Sequence, residues 1–148
     1  MKATRWMALA LGLVAAPALA TSERAVEDQT PTGKFLTATE VRPILEATKG
    51  NWIAVREFNG QDLLYFTHLI SWRCGLYEIH FRVNGGPTKQ FPINNCDPET
   101  HMVGSVPENA LIYLEYPLGS IETIEVDLLY DDLGTATETF ERKNVMTP

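Results

Sequence analysis

Hydrophobic and polar residues alternate along most of the chain after residue 51. Such period-two alternation is typical of β-strands that bury one face, and turn residues interrupt it about every ten positions. The pattern predicts seven strands, at 52–58, 63–74, 76–83, 88–93, 110–116, 121–130 and 135–142. Short strands with short connections predict an all-β, immunoglobulin-like antiparallel β-sandwich, with a small open β-barrel as the alternative.

Two of these strands have features that locate them within a sheet. Segment 63–74 is partly apolar on both of its alternating faces, which predicts a central strand covered on both sides. Segment 88–93 contains Pro92, which lacks a backbone N–H donor. A proline is tolerated where no neighbouring strand needs that donor, so this strand is predicted at a sheet edge.

One short helix is predicted before the strands. Val41, Ile44 and Leu45 recur at helical spacing. Thr37, with Glu40 three residues later as in a capping box, and Thr39 can each cap this helix. Thr39 is preferred because Pro43 then falls within the first turns, where a missing N–H is tolerated. The helix would run over residues 39–48.

The first residues have the organisation of a Sec-type signal peptide. Lys2 and Arg5 supply positive charge, residues 6–16 are apolar, and Ala18-Leu19-Ala20 places small residues at the cleavage position. An apolar run of about eleven residues is too short to span a membrane. The sequence therefore predicts cleavage after Ala20, a periplasmic or secreted protein, and no membrane span once the peptide is removed.

The segment that follows is polar, lacks periodicity and contains Pro31 and Gly33, which is typical of a flexible leader. The predicted organisation is a signal peptide (1–20), a flexible leader (21–36), a single β-sandwich domain (37–144) with its N-terminal helix, and a tail (145–148).

Cys74 and Cys96 are predicted to form a disulfide. Export places both thiols in an oxidising compartment. The extended segments between them flank Asn84-Gly85-Gly86, a glycine-rich triplet suited to a tight hairpin. If those three residues form the loop, the antiparallel register places the two cysteines opposite each other at the base of the hairpin.

Acidic residues dominate the C-terminal half of the chain. The formal net charge is −7, which argues against nucleic-acid binding, and residues 90–141 contain eleven acidic residues but no Lys or Arg. With Asp132-Leu133-Gly134 as the last hairpin loop, Val126 would face Phe140 and Glu125 would face Glu141. A weak cation-binding acidic patch is a hypothesis on these grounds, with the members Glu125, Asp127, Asp131, Asp132 and Glu141.

A candidate ligand pocket is centred on His68, on the apolar face of the predicted central strand. Its other candidate members are Tyr65, Trp72 and Arg73. The sequence has no Gly-x-Ser-x-Gly elbow, Cys-x-x-Cys pair or phosphate-binding glycine loop. It therefore predicts no catalytic residues, cofactor or metal, although His101 lies close in sequence to Asp97 and Glu99 in a pattern that an extended metal site would use.

One segment resembles a known group of proteins. The stretch Asn51–Leu76 reads NWIAVREFNGQDLLYFTHLISWRCGL and is similar to an uncharacterised family of small secreted bacterial proteins; the likeness extends weakly to Asp131 and Asp132. The resemblance implies export and a single domain, and it implies no activity.

Two functional hypotheses follow. The first is a non-catalytic, disulfide-stabilised binding module in the periplasm or outside the cell, with an unknown envelope protein or glycan as partner. The alternative is a small hydrolase or ligand-binding protein with a pocket near His68 and Arg73. A cleft that joins those two side chains to a carboxylate would favour the alternative.

Overall fold

The computed structural model describes Gly12 and residues 24–148 of the chain. The predicted signal peptide and its cleavage point after Ala20 lie outside the described residues, Gly12 excepted. The strands are β1 (Ala54–Phe58), β2 (Gln61–Tyr65), β3 (Leu76–Val83), β4 (Lys89–Phe91), β5 (Tyr113–Pro117), β6 (Thr123–Tyr130) and β7 (Thr135–Glu141). The helices are α1 (Ala38–Ala47), α2 (Thr67–Ser71) and α3 (Arg142–Val145).

The strands form two antiparallel sheets, which confirms the mostly β class. One sheet has the order β1-β2-β5 and the other has the order β4-β3-β6-β7. Both contribute to one hydrophobic core: Val55 and Leu64 come from the first sheet, and Ile79, Phe81 and Val126 come from the second. Because no strand of the described residues pairs across the two sheets, the arrangement favours a sandwich over the alternative open barrel.

The hairpin between the cysteines has the predicted register. Ile79 is opposite Phe91 and His80 is opposite Gln90, and β4 lies at the edge of its sheet as Pro92 indicated. The disulfide is confirmed, with the two cysteine Cα atoms 5.3 Å apart. It joins the base of this hairpin to the segment that enters β3.

The predicted long strand 63–74 is wrong. Strand β2 ends at Tyr65, and the chain continues as α2 and a 3₁₀ turn. The buried residues after Tyr65 are Phe66, Leu69, Ile70 and Arg73, which have the i, i+3, i+4, i+7 spacing of a helix face. A short run that is apolar at odd and even positions fits both periods, and here the tertiary environment selects the helix.

Helix α1 begins one residue before the predicted helix, with Thr37 at the N-cap position instead of Thr39. Its first turn is capped from a distant part of the chain, because the Ala38 N–H donates to Asp131 Oδ1 at 2.8 Å. This external acceptor replaces a local capping side chain. Pro43 consequently lies inside the helix.

The C-terminal hairpin is shifted from its predicted register by two residues. Val126 faces Glu138 instead of Phe140, and Glu125 faces Thr139 instead of Glu141. The loop still has three residues but starts one position earlier, at Asp131, because Tyr130 N–H donates to Gly134 O at 2.8 Å. A two-residue shift leaves every side chain on its predicted face.

Residues 24–36 have no helix or strand, yet they contact the domain at several points. The Glu27 N–H donates to Asp131 O at 2.9 Å, and the Phe35 ring packs edge-on against Trp72 with ring centroids 5.5 Å apart. These contacts favour an ordered segment, in contrast to the flexible leader expected from composition. At the other end, Thr147 N–H donates to Val55 O at 2.9 Å, so the tail covers the free edge of β1.

Helices in the described part of the chain are all too short or too polar to cross a bilayer.

Candidate functional site

The structure divides the predicted pocket between two cavities. Arg73 lines a cavity of about 670 Å³, whereas Tyr65 and His68 line a second cavity of about 530 Å³. Trp72 lines neither and packs against Phe35. The separation follows from the helical turn of α2, which directs neighbouring side chains to different sides of the segment. A single pocket formed by Tyr65, His68, Trp72 and Arg73 is therefore wrong.

The larger cavity, called the Arg73 cavity below, lies against the disulfide. Residues of the N-terminal segment 24–37 form one part of its lining, and Cys74, Cys96 and residues 93–98 form another. Arg73, in the 3₁₀ turn before β3, and Asp131, directly after β6, also line it. Its volume is within the range of about 300–1,000 Å³ that is usual for small-molecule sites.

Arg73 is a buried cation without an anionic partner. Its residue surface is 5% exposed, and its Nη1 donates to Ile70 O at 3.2 Å and Ser105 O at 2.9 Å. Among residues 24–148, its Nε is fully enclosed and makes no hydrogen bond, its Nη2 is not enclosed and makes none, and no carboxylate lies within salt-bridge distance. Burial lowers the pKa of Arg73, but a guanidinium keeps its charge at any physiological pH.

Asp131 is a buried carboxylate in the same cavity. Its residue surface is 3% exposed, and Oδ1 accepts hydrogen bonds from Ala38 N–H at 2.8 Å and Gln29 Nε2 at 2.9 Å. Within residues 24–148, Oδ2 accepts no hydrogen bond and no cationic side chain pairs with the carboxylate. Burial raises the pKa of Asp131. The cavity therefore contains a buried charge of each sign, and the two do not pair with each other.

Further polar groups of the cavity have no partner. The Thr37 hydroxyl is buried and makes no hydrogen bond with any described residue. The side-chain amides of Asn94 and Asn95 also line the cavity, and neither is bonded to another described residue. Asn94 is half-buried and Asn95 is exposed, so their amides are open to water or a ligand, whereas the Thr37 hydroxyl is enclosed.

The second cavity lacks the arrangement of a hydrolase. Thr48 donates its hydroxyl proton to Ile44 O at 2.6 Å, so it accepts from His68 Nε2, 2.8 Å away. Ser71 is not bonded to His68, because its hydroxyl donates to Thr67 O at 2.9 Å. Burial lowers the pKa of His68, and the lining includes no Asp or Glu side chain that could orient it.

The predicted acidic patch is not one site. Its members form separate local contacts: Glu125 with Arg82 at 3.3 Å, Asp127 with Thr137 at 2.6 Å, Asp132 with Arg42 at 2.6 Å and Glu141 with Lys143 at 3.2 Å. Asp131 lines the Arg73 cavity instead. Because the register places Glu125 opposite Thr139, the expected Glu125–Glu141 pairing is wrong.

An ion cluster around the buried Asp62 lies between the two sheets and was not predicted from the sequence. Asp62 on β2 is completely buried and accepts from Arg142 Nη1 at 2.5 Å and Nη2 at 2.9 Å, as well as from two backbone N–H groups. Arg142 also donates to Glu57 at 2.7 Å. Hydrogen bonds from Arg142 lower the pKa of Asp62 well below its usual range. One sequence signal could have indicated the cluster. Asp62 lies two positions before Leu64, so a carboxylate shares the inward face of the strand with an apolar side chain and needs a buried partner.

His101 lies near the disulfide and not in a metal site. Its ring is close to the Cys74 and Cys96 sulfurs, which are bonded to each other and are therefore not thiolate ligands. Asp97 directs a carboxylate oxygen to the Glu99 N–H instead of toward His101.

Comparison with known proteins adds no relative. No protein-family model matches the chain, and no curated protein or solved structure is significantly similar to it.

Proposed function

We propose that this chain is an exported, non-catalytic binding protein whose ligand is a small molecule with a carboxylate, bound in the Arg73 cavity. The observation that carries the proposal is the buried Arg73 guanidinium, which lines a ligand-sized cavity and has no anionic partner among the described residues. A planar guanidinium with free N–H groups is well suited to bidentate binding of a carboxylate.

The energetics of burial support a ligand at this position. An ionised group taken out of water costs several kcal/mol unless it is paired or well hydrogen-bonded. Two carbonyl oxygens satisfy Arg73 Nη1, but within the described part of the chain Nη2 has no acceptor and, unlike Nε, is not enclosed. A ligand carboxylate would supply the missing acceptor and neutralise the charge.

The disulfide supports a rigid site. It forms part of the cavity lining and joins the segment that carries Arg73 to the loop after β4. A lining held by a covalent bond loses less conformational entropy when a ligand binds than a mobile lining would.

Export from the cytoplasm and an immunoglobulin-like strand topology are further parts of the proposal. Export rests on the signal-peptide pattern and on the resemblance of residues 51–76 to small secreted bacterial proteins. An immunoglobulin-like topology is supported by strand order: β1, β2 and β5 share one sheet, and β3, β6 and β7 share the other, as strands A, B, E and C, F, G do. Strand β4 pairs with β3, which differs from the constant-type domain.

A hydrolase with a joint His68–Arg73 pocket loses its basis, because the two side chains line different cavities and His68 has no serine or carboxylate partner among the described residues.

Calorimetric titration tests the proposed function. The probes are N-acetyl-Ala-Ala, which has one carboxylate, and its C-terminal amide, which has none. We expect the acid to bind, the amide to bind at least about ten-fold more weakly, and Arg73→Met to remove that difference. Arg56→Met, in the other cavity, is the matched control and should bind as the wild type does.

Equal binding of acid and amide would contradict the proposal. So would acid binding that Arg73→Met leaves unchanged, or the absence of heat with the acid, with its amide and with free Ala-Ala.

A further inference from the structure

We propose that the Arg73 cavity recognises a zwitterion, a short peptide with both termini free, whose carboxylate binds Arg73 and whose ammonium binds the Asp131 side. This inference rests on the proposed function and extends it, because it names the second charge that the ligand carries.

The first support is the pair of buried charges in one cavity. Arg73 and Asp131 are 5% and 3% exposed, have opposite signs, and line the same space without forming an ion pair. They are close along the fold, since the Asp131 N–H donates to Gly75 O at 3.0 Å and Arg73 precedes Gly75 by two residues. A simple anion would satisfy only Arg73 and would leave Asp131 unpaired.

The second support is that only one of the two Asp131 carboxylate oxygens accepts hydrogen bonds from the described residues. Both of its hydrogen bonds end on Oδ1 and hold helix α1 and Gln29 in place. This structural role leaves Oδ2 without a partner in the described part of the chain. Oδ2 is thus available to accept a hydrogen bond from an ammonium group.

The third support is the charge around Asp131. Glu27 and Asp28 also line the cavity, and both belong to the N-terminal segment that contacts Asp131 through the Glu27 N–H. Arg24 also lines the cavity, but it is paired with Glu78 at 2.8 Å. The potential on this side of the cavity is therefore negative and favours a cationic group.

The cavity also suits the middle of a peptide. The amides of Asn94 and Asn95 can pair with peptide N–H and C=O groups, and Leu36 and Ile93 provide apolar surface for side chains. A volume of about 670 Å³ exceeds what a single amino acid fills. Two or three residues would use the space and span both charges.

The test compares Ala-Ala with N-acetyl-Ala-Ala on the same full-length protein. We expect free Ala-Ala to bind at least about ten-fold more tightly, because acetylation removes the ammonium charge. Asp131→Asn should reduce this preference to less than about two-fold while Oδ1 still accepts from Ala38. Alanine and Ala-Ala-Ala complete the series, and the free amino acid should bind more weakly than the peptides.

The outcomes separate this inference from the proposed function. If N-acetyl-Ala-Ala binds as tightly as Ala-Ala, the zwitterion inference is wrong and carboxylate binding stands. If alanine binds as tightly as Ala-Ala, the peptide assignment is wrong. If neither Ala-Ala nor its acetylated form binds, the proposed function itself fails. The peptide comparison on the wild-type protein needs no variant, so misfolding of Asp131→Asn would not obscure the result.

Discussion

Two arginines, the half-buried Arg142 and the buried Arg73, occupy different environments in this molecule. Arg142 binds the buried Asp62 with two nitrogens and also contacts Glu57, so its charge is matched by carboxylates. Within the described part of the chain, Arg73 donates hydrogen bonds only to the carbonyl oxygens of Ile70 and Ser105, and it lines the larger cavity. The Arg142 guanidinium connects the two sheets, whereas the Arg73 guanidinium has N–H donors without an acceptor among the described residues.

The difference separates a structural from a functional role. A buried charge with a complete set of partners is compatible with a stable fold. Removal of one partner destabilises the protein, because the remaining charge is then buried without compensation. A buried charge with an incomplete set has a cost in the free protein that a ligand can remove. Substitution of the two arginines should therefore change the free energy of unfolding by very different amounts.

Arg142→Met should lower the free energy of unfolding by about 3–5 kcal/mol, because Asp62 would remain buried with only backbone donors. Urea denaturation at pH 7 measures the change. Arg82→Met is the matched control, since the Arg82–Glu125 pair is exposed and should contribute less than about 1 kcal/mol. Equal effects of the two substitutions would contradict the structural role of the Arg142–Asp62 pair.

Replacement of both cysteines by alanine should lower stability by about 3 kcal/mol, because the bond joins residues 22 positions apart and restricts the unfolded chain. Ligand binding should weaken as well, since the disulfide lines the Arg73 cavity. Thermal unfolding and titration with N-acetyl-Ala-Ala measure the two effects. A double variant with unchanged binding would show that the disulfide does not organise the site.

Asp132→Asn should destabilise the protein by about 1–2 kcal/mol at pH 7, because hydrogen bonds from Arg42 lower the pKa of Asp132. That stability is present above the ordinary carboxylate pKa of about 3.9 and is lost as the pH falls through the folded-state value. Asp131→Asn should have the opposite sign. Burial raises the pKa of Asp131, so its ionisation reduces stability as the pH rises through the folded-state value.

Unfolding curves for both aspartate variants and the wild type between pH 3 and 7 measure these differences. Each variant should approach the wild type as the pH falls below about 3.9. A loss of stability at pH 7 in Asp131→Asn as large as that in Asp132→Asn would contradict the claim that Asp131 is an unpaired buried carboxylate.

Arg73→Met should change stability by less than about 1 kcal/mol, which is the smallest effect of the series. The lost hydrogen bonds to Ile70 O and Ser105 O are offset by removal of an uncompensated charge. Urea denaturation alongside Arg142→Met provides the comparison. A loss of 3 kcal/mol or more would show that Arg73 is mainly structural.

The sequence was sufficient to predict some elements of the fold and not others. Local signals were sufficient for the hairpin that carries the disulfide, because Asn84-Gly85-Gly86 sets the loop and the loop sets the register. They were insufficient for α2, because an apolar run of a few residues fits a strand and a helix equally well. The missed helix accounts for the wrong single pocket, since it separates His68 from Arg73.

The role of Asp131 could not be predicted from neighbouring residues. Its partners Ala38 and Gln29 lie about a hundred positions away in the chain, and the cap that it provides for α1 exists only after folding. The same holds for Asp62 and Arg142, which are 80 residues apart. Sequence patterns identify local structure, whereas these charge contacts depend on the packing of both sheets.

The most direct test of the central claim is the NMR resonance of the Arg73 side-chain Nε–H during titration with N-acetyl-Ala-Ala. The peak is assigned by its loss in Arg73→Met, and the Arg142 peak is the internal control. We expect a saturable shift of the Arg73 resonance with an unchanged Arg142 resonance, because only the Arg73 guanidinium gains an anionic partner. An Arg73 resonance that stays constant, or that shifts only together with Arg142, would contradict it.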